Sequence, residues 1–346
     1  MTKKAKSEPE PTPIHDRRAI EKISAYSHQL MKNMQFNSLE EMNAFVGEHI
    51  SGQRLDDIKL LAETPLELAQ AKIYDAFATA SSKKRIALAK EALKISADCA
   101  DAYVLLAEET AKTYTQAISL YRQGMEAGRR ALGEEIFKKE VGNFWSILET
   151  RPYMRALFGY ARNLWEDYDD DKEALACLRE LIRLNKSDNQ GVRYVLAPAL
   201  IEADEYEEAK QLLQTMKDEP ATCSKFSWAL LLYLTEGKSV AAIKALDDAL
   251  KQNMYVAGAL MNLDLITEQV NEQIDSYAPG SIEEAIIYSR EWFPAWFDNE
   301  KQSLRPMEWL MDHLDARLKK QSVFDVFPDL QPPENVAIMR DFSRNY

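Results

Sequence analysis

Three segments of the chain repeat one pattern of small and large apolar residues at helical spacing, and this repetition limits the folds open to it. Each copy has an alanine, a large apolar residue four positions later and a further apolar residue three positions after that. The copies begin at Ala174, Ala209 and Ala242, so successive copies are 35 and 33 residues apart. Bulky residues about sixteen positions earlier, such as Phe158 and Phe226, indicate a preceding helix. The sequence therefore predicts repeated pairs of packed helices.

Two looser copies precede these three, with second helices around Ala89 and Ala117. A generic helical bundle is the alternative, but a Glu-Ala pair recurs at the same position of two units, at 173–174 and 208–209, which a bundle would not require. Helix pairs of about 34 residues are typical of tetratricopeptide repeats. We therefore predict an all-α fold, a right-handed helical solenoid of about five tetratricopeptide-like units with helical caps.

The chain divides into five predicted segments. They are a disordered tail at 1–15, an N-terminal helical cap at 16–64, the repeat array at 65–253 with an insertion at 133–151, a C-terminal helical cap at 254–320 and a C-terminal tail at 321–346. Within the caps, Ser38 with Glu41 and Ser281 with Glu284 each predict a capping box that opens a helix. We expect an extra or extended helix in the insertion and a short helical piece at 55–61.

Composition excludes several classes of protein. The 11 glycines and 13 prolines are few for a turn-rich all-β fold, and a net charge of −13 disfavours binding to nucleic acid or to an anionic membrane. Three cysteines without CxxC spacing predict neither disulfides nor a zinc site. The N-terminus lacks an apolar leader, and the longest apolar run, 228–234, is too short to span a membrane. We therefore expect a cytoplasmic protein.

A local excess of arginine is the most suggestive polar feature of this acidic chain. Three arginines lie within twelve positions, in a region where the first helices of repeats would line a concave surface. Arginine presents a planar fork that suits carboxylates, so we predict a peptide-binding groove. Its candidate residues are Arg151, Tyr153, Arg155, Arg162, Arg193 and Tyr194. The alternative is that these arginines pair internally with Glu149, Glu166 or Glu202 and join adjacent helices.

Catalytic and metal-binding motifs give no further candidates. The sequence has no P-loop, no GxGxxG and no GxSxG, and its four histidines form no metal-binding signature. The acidic run at 166–171 lacks the glycine and the terminal glutamate of a calcium loop. We therefore predict no catalytic residue, no metal and no cofactor.

Three longer stretches, 99–108, 144–156 and 183–194, carry a resemblance to a known family. Together with Ser281, Tyr288 and Trp296, they resemble bacterial tetratricopeptide-repeat proteins that are similar to the suppression-of-tumorigenicity protein. The resemblance extends over about 35–315 and implies an α-helical repeat fold without catalytic residues to carry over. The chain has Gly142-Asn143 where the family pattern would have Gly-His.

The sequence thus favours a non-enzymatic scaffold or adaptor that binds a peptide segment of a partner protein. One alternative is an enzyme or small-ligand-binding protein with a pocket near 144–166. Another is a homo-oligomer that assembles through the apolar C-terminal tail at 324–330.

Overall fold

Helices form the whole regular structure of the described residues in the computed structural model. The structure describes residues 16–32, 34–51, 53–55, 57–166, 171–219, 221–261, 277–297 and 306–318. The α-helices are α1 (Glu21–Met31), α2 (Leu39–Ile50), α3 (Pro65–Phe77), α4 (Ser82–Ile95), α5 (Ala100–Thr110), α6 (Tyr114–Leu132), α7 (Ile136–Lys139), α8 (Arg151–Glu166), α9 (Asp171–Leu184), α10 (Val192–Glu202), α11 (Tyr206–Thr215), α12 (Thr222–Glu236), α13 (Val240–Gln252), α14 (Tyr255–Met261), α15 (Ile282–Phe297) and α16 (Pro306–Leu318).

The five predicted helix pairs coincide with five pairs of observed helices. They are α3 with α4, α5 with α6, α8 with α9, α10 with α11, and α12 with α13. The repeated small residues are buried, since Ala89, Ala174, Ala209 and Ala242 are each 0% exposed. The spacing therefore located the faces that helices bury, and the all-α prediction is confirmed for the described residues.

The chain forms two compact units, divided between Val192 and Arg193 within the predicted array. In unit 1, residues 1–192, α3 packs on α4, α4 on α5, α5 on α6 and α8, and α8 on α6 and α9. In unit 2, residues 193–346, α12 packs on α11, α13, α15 and α16, and α14 packs on α15.

Two glycines let α6 lie unusually close to its neighbours in unit 1. A Cβ atom on Gly128 would lie 2.9 Å from the Cβ and 3.1 Å from the Cα of Tyr153 on α8. One on Gly124 would lie 3.2 Å from Ala156 Cβ and 3.2 Å from the carbonyl oxygen of Ala100. A side chain at Gly128 would therefore force α6 and α8 to shift, whereas one at Gly124 would need its neighbours to move by a few tenths of an ångström.

The insertion at 133–151 differs from the extra or extended helix that its apolar spacing predicts. It consists of the short α7 and two 3₁₀ turns, Phe144–Ser146 and Leu148–Thr150. Gly133 and Gly142 have φ angles of +70° and +92°, which interrupt helical backbone on either side of α7. Phe137 and Phe144 are nevertheless buried, so the insertion supplies apolar anchors.

The connection before α3 also differs from prediction. Its described residues form turns and extended chain instead of a short helix at 55–61. Ile58 is 3% exposed, and the carbonyl oxygen of Leu55 accepts a hydrogen bond from Lys22 Nζ at 2.9 Å. Apolar anchors therefore fix this segment without helical structure.

Both predicted helix-opening serines act as N-caps. Ser38 Oγ accepts from Glu41 N at 3.1 Å, and Ser281 Oγ accepts from Glu284 N at 3.2 Å. The Glu284 carboxylate then accepts from Gly280 N at 2.6 Å and from Thr222 N at 2.8 Å. This carboxylate joins the start of α12 to the residues before α15 in unit 2.

Several predicted segments lie outside the described residues. They are the N-terminal tail, most of the acidic run at 166–171, the part of the predicted C-terminal cap at 262–276 and the C-terminal tail. Among the helices that the structure describes, none has the length and apolar character of a membrane span.

Candidate functional site

Arg155 of α8 lies inside unit 1, in a bridge with two carboxylates. Its Nε and Nη2 donate to the two oxygens of Asp101 at 2.8 and 2.7 Å, and its Nη1 and Nη2 donate to Glu21 at 2.9 and 3.1 Å. Burial alone would lower the pKa of Arg155, but the charges and hydrogen bonds of Asp101 and Glu21 raise it above its ordinary value. The guanidinium therefore joins α1, α5 and α8 as a buried charged bridge.

Asp101 is the most enclosed member of this bridge. Its side chain is 0% exposed, and Gln70 Nε2 on α3 donates a further hydrogen bond to Asp101 Oδ2 at 2.8 Å. A fully buried carboxylate is stable only when its oxygens are paired in this way. The bridge therefore adds α3 to the helices that it holds together.

Two neighbouring candidates of α8 also have partners within unit 1. Arg151 Nε donates to the carbonyl oxygen of Trp145 at 2.9 Å, and its Nη1 lies 3.3 Å from Glu21 Oε1. Tyr153 is 3% exposed and packs edge-to-face on Phe137, with ring centroids 4.9 Å apart. Burial raises the pKa of Tyr153 to about 12.

Arg162 forms an ion pair along its own helix. Its Nε donates to Glu166 Oε1 at 2.7 Å, and the two side chains are 39% and 32% exposed. This is one of the internal pairs that the sequence allowed as an alternative to a groove.

The last two candidates belong to unit 2 and form a cluster with Glu219. Tyr194 Oη donates to Glu219 Oε2 at 2.7 Å, and Arg193 Nη2 donates to Tyr194 Oη at 3.0 Å. Burial, followed by the hydrogen bond to Glu219, raises the pKa of Tyr194 to about 12.

The structure thus brings Arg151 and Arg155 together through Glu21, a residue that the sequence analysis did not single out. Each of the six candidates has contacts within its own unit, and the assignment of a peptide groove to them stays a prediction. The partners of Arg155 lie 54 and 134 residues away in sequence, so no local pattern could have indicated them.

A cavity of about 400 Å³ lies beside this bridge in unit 1 and is partly open to solvent. Residues of α1, α3, α5 and α6 line it together with Lys32, Asp98 and residues of 60–63 and 148–152. Its walls are largely apolar and include Ala25, Leu60, Leu61, Leu66, Ala100, Ala131, Leu148 and Pro152. This volume is in the range of small-ligand and side-chain binding sites.

Acidic side chains predominate among the charged residues that line the cavity. Four carboxylates, Glu63, Glu67, Asp98 and Glu149, face one lysine and one histidine. Lys32 Nζ lies 2.7 Å from Glu63 Oε2, and His28 Nδ1 lies 3.7 Å from Glu149 Oε1. The predicted pocket near 144–166 contributes only Leu148, Glu149 and Pro152 to this lining, because the other residues come from distant parts of the sequence.

Tyr74 of α3 also lines the cavity and is 5% exposed. Its hydroxyl makes no hydrogen bond with any described residue. Burial, and then the charges of Glu21 and Asp101, hold the pKa of Tyr74 well above its ordinary value. The hydroxyl is therefore protonated at neutral pH and can both donate and accept a hydrogen bond.

Side chains suited to metal binding or nucleophilic catalysis do not converge in the described part of the chain. No three His, Cys, Asp or Glu residues are grouped there as metal ligands. Burial raises the pKa of Cys177 to about 11 and of Cys99 and Cys223 to about 12. Such thiols are poor nucleophiles at neutral pH, since the thiolate is the reactive form.

Comparison with known proteins identifies one family. Residues 66–221 match the family model described as ST7 protein. The matched stretch runs from α3 to the residue before α12 and includes Asp101, Arg155 and Tyr74. No curated protein matches the chain. Residues 66–221 are therefore similar to the ST7 protein family.

Proposed function

We propose that this ST7-like protein is a non-enzymatic cytoplasmic adaptor that binds a peptide segment of a partner protein at the cavity of unit 1. The observation that supports this function is the cavity itself, with its 400 Å³ volume, apolar walls and charged mouth. Peptide-binding sites combine these features, because apolar pockets supply affinity and polar groups at the edge supply orientation. An acidic protein is a poor partner for nucleic acid, which favours a protein partner.

The same proposal extends to the helix pairs of the chain, the first two of which contribute to the cavity walls. We take the five helix pairs to be tetratricopeptide-like, as supported by the burial of the alanines that recur at 33 to 35 residues. Helix pairs of this kind present preformed surfaces, so little conformational entropy is lost by the adaptor on binding. A cytoplasmic location is consistent with three unpaired cysteines.

A substitution at the cavity mouth tests the proposal. Ala131 lines the cavity and is exposed, so Ala131→Trp should obstruct the mouth without disturbing the core. Ala87, exposed on α4 and outside the lining, offers the matched control Ala87→Trp. Affinity capture from native extract should recover a protein with wild type and the control, and lose it with Ala131→Trp. Recovery of the same proteins by all three baits would contradict binding at the cavity.

The cavity volume also favours a second candidate function, the binding of a small organic ligand. Native mass spectrometry of the protein purified from its own cells tests this function. A bound small molecule that Ala131→Trp displaces would support it over the adaptor.

Self-association through the C-terminal tail is a third candidate, and the tail lies outside the described residues. Light scattering on the chain ending at residue 320 tests it. A molar mass equal to that of the full chain, after correction for the removed residues, would contradict assembly by the tail.

A further inference from the structure

An exposed apolar side chain stands at the mouth of the cavity in a fixed position. Leu61 is 77% exposed, although its backbone is held firmly. Gln29 Nε2 donates to Leu61 O at 2.8 Å, and Leu61 N donates to Gln29 Oε1 at 2.9 Å. A leucine that is anchored by its backbone and presented to solvent is suited to contact an apolar side chain of a partner.

The charged residues at the mouth determine whether the cavity favours a cation or an anion. Glu63 is paired with Lys32, and Asp98 Oδ1 accepts from Arg130 Nε at 2.8 Å. Glu149 faces His28 at 3.7 Å, and both of these side chains are more than half exposed. Because four carboxylates and one lysine line the cavity, a cation is favoured over an anion at its mouth.

The interior of the cavity offers a hydrogen-bonding group. Tyr74, a residue that is 5% exposed, provides a hydroxyl without a hydrogen-bond partner among the described residues. Burial is the main cause of its raised pKa; the carboxylates of Glu21, Asp101 and Glu149 raise it further, and Arg155 acts in the opposite direction. Its oxygen can accept a hydrogen bond from an ammonium group.

We propose that the cavity recognises a lysine side chain of an amphipathic partner segment, with the ammonium group directed toward Tyr74 and an adjacent leucine-type side chain on Leu61. The inference rests on the proposed function and specifies the chemistry of the partner. A lysine suits this site because its four methylene groups contact the apolar walls while its charge meets Glu149 and the tyrosine oxygen. This class of partner is opposite in charge to the acidic peptide that an arginine groove would bind.

Three fluorescent twelve-residue peptides test the inference on the full chain. All are acetylated, amidated and rich in leucine, and their polar positions are all lysine, all glutamine or all glutamate. Fluorescence anisotropy at low salt should show binding of the lysine peptide, weaker binding of the glutamine peptide and none of the glutamate peptide. Equal binding of the glutamine and lysine peptides would overturn the assignment of charge while leaving peptide binding intact.

Two substitutions locate the cation within the cavity. Glu149→Lys should weaken the affinity for the lysine peptide about three- to tenfold. The effect is this modest because an exposed charge is partly screened by solvent. Glu126→Lys on α6 changes the net charge equally outside the lining and should leave the affinity unchanged. Tyr74→Phe, which retains the ring, should weaken the affinity for the lysine peptide about tenfold or more through loss of the hydroxyl. Equal effects of Glu149→Lys and Glu126→Lys, or no effect of Tyr74→Phe, would overturn the inference.

The remaining outcomes separate this inference from the proposed function. If no peptide binds but Ala131→Trp still loses the captured partner, the lysine assignment is wrong and the adaptor proposal stands. If no peptide binds and Ala131→Trp captures normally, both are wrong. The chain carries Lys3, Lys4 and Lys6 near its N-terminus. If the lysine peptide binds only to a variant that lacks residues 1–14, the chain's own basic segment is the occupant of the cavity. This result would overturn the assignment of the cavity to a partner protein.

Discussion

Removing the charge of Asp101 should be among the most destabilising single-atom changes in unit 1. The substitution Asp101→Asn keeps the size of the side chain but replaces one acceptor oxygen with an NH₂ group. Arg155 then loses its closest charge partner, with the original contacts at 2.8 and 2.7 Å. Only Glu21 remains to compensate a guanidinium that has 9% side-chain exposure.

The expected loss follows from the burial of both partners. Breaking a buried ion pair by removing one charge costs about 3–5 kcal/mol, because the remaining charge stays desolvated. For a unit of this size, each kcal/mol corresponds to about 2–4 °C in Tm, so Tm should fall by about 6–20 °C. Glu166→Gln makes the same chemical change opposite Arg162, in a pair that is more than 30% exposed. That variant should lose less than about 0.5 kcal/mol.

Urea unfolding followed by circular dichroism at 222 nm measures both variants under the same conditions. The double variant Asp101→Asn/Arg155→Met should recover part of the loss of Asp101→Asn, because it removes the uncompensated cation as well. Equal losses for Asp101→Asn and Glu166→Gln, or a double variant less stable than the sum of the two single changes, would refute the assignment of Arg155 to a buried stabilising bridge.

Two further predictions concern packing and pH. Gly128→Ala should destabilise unit 1 by about 1–3 kcal/mol, because the new Cβ would lie 2.9 Å from Tyr153. Gly47→Ala in α2 should instead stabilise the protein by about 0.5–1 kcal/mol, because its new Cβ meets nothing within 4 Å. Thermal unfolding of the two variants checks that the two changes in stability have opposite signs. Burial alone would raise the pKa of Asp16, but Arg18 lowers it below its ordinary value. The resulting stabilisation is therefore complete above about pH 5 and is lost as pH falls through the folded-state pKa. The stability difference between wild type and Asp16→Asn in urea should accordingly shrink between pH 6 and pH 3, and a constant difference would contradict this linkage.

Local sequence rules were sufficient where helices depend on neighbouring residues. The alanine spacing located buried helix faces, as at Ala174 and Ala242, and Ser38 and Ser281 located two helix starts. These features follow from helical periodicity and from the first-turn amides, both of which act over a few residues.

Features that depend on contacts between distant residues could not be predicted from local sequence patterns. Arginine patterning indicated a groove, but the orientation of Arg155 is determined by Asp101 and Glu21, which lie on other helices. The cavity likewise combines residues from 25 to 152, so its lining depends on how helices pack. The broken helix at 133–151 reflects two glycines with positive φ angles, which apolar periodicity does not register.

The carboxylate of Glu284 links two helix starts that are about sixty residues apart in the chain. It accepts the amide of Thr222 and the amide of Gly280, while Asn253 Nδ2 donates to Thr222 Oγ1 at 3.0 Å and to Ser281 O at 2.9 Å. One side chain therefore holds both amides, and its withdrawal would remove a hydrogen bond from each of them. We expect the start of α12 and the loop before α15 to open together in hydrogen exchange for this reason.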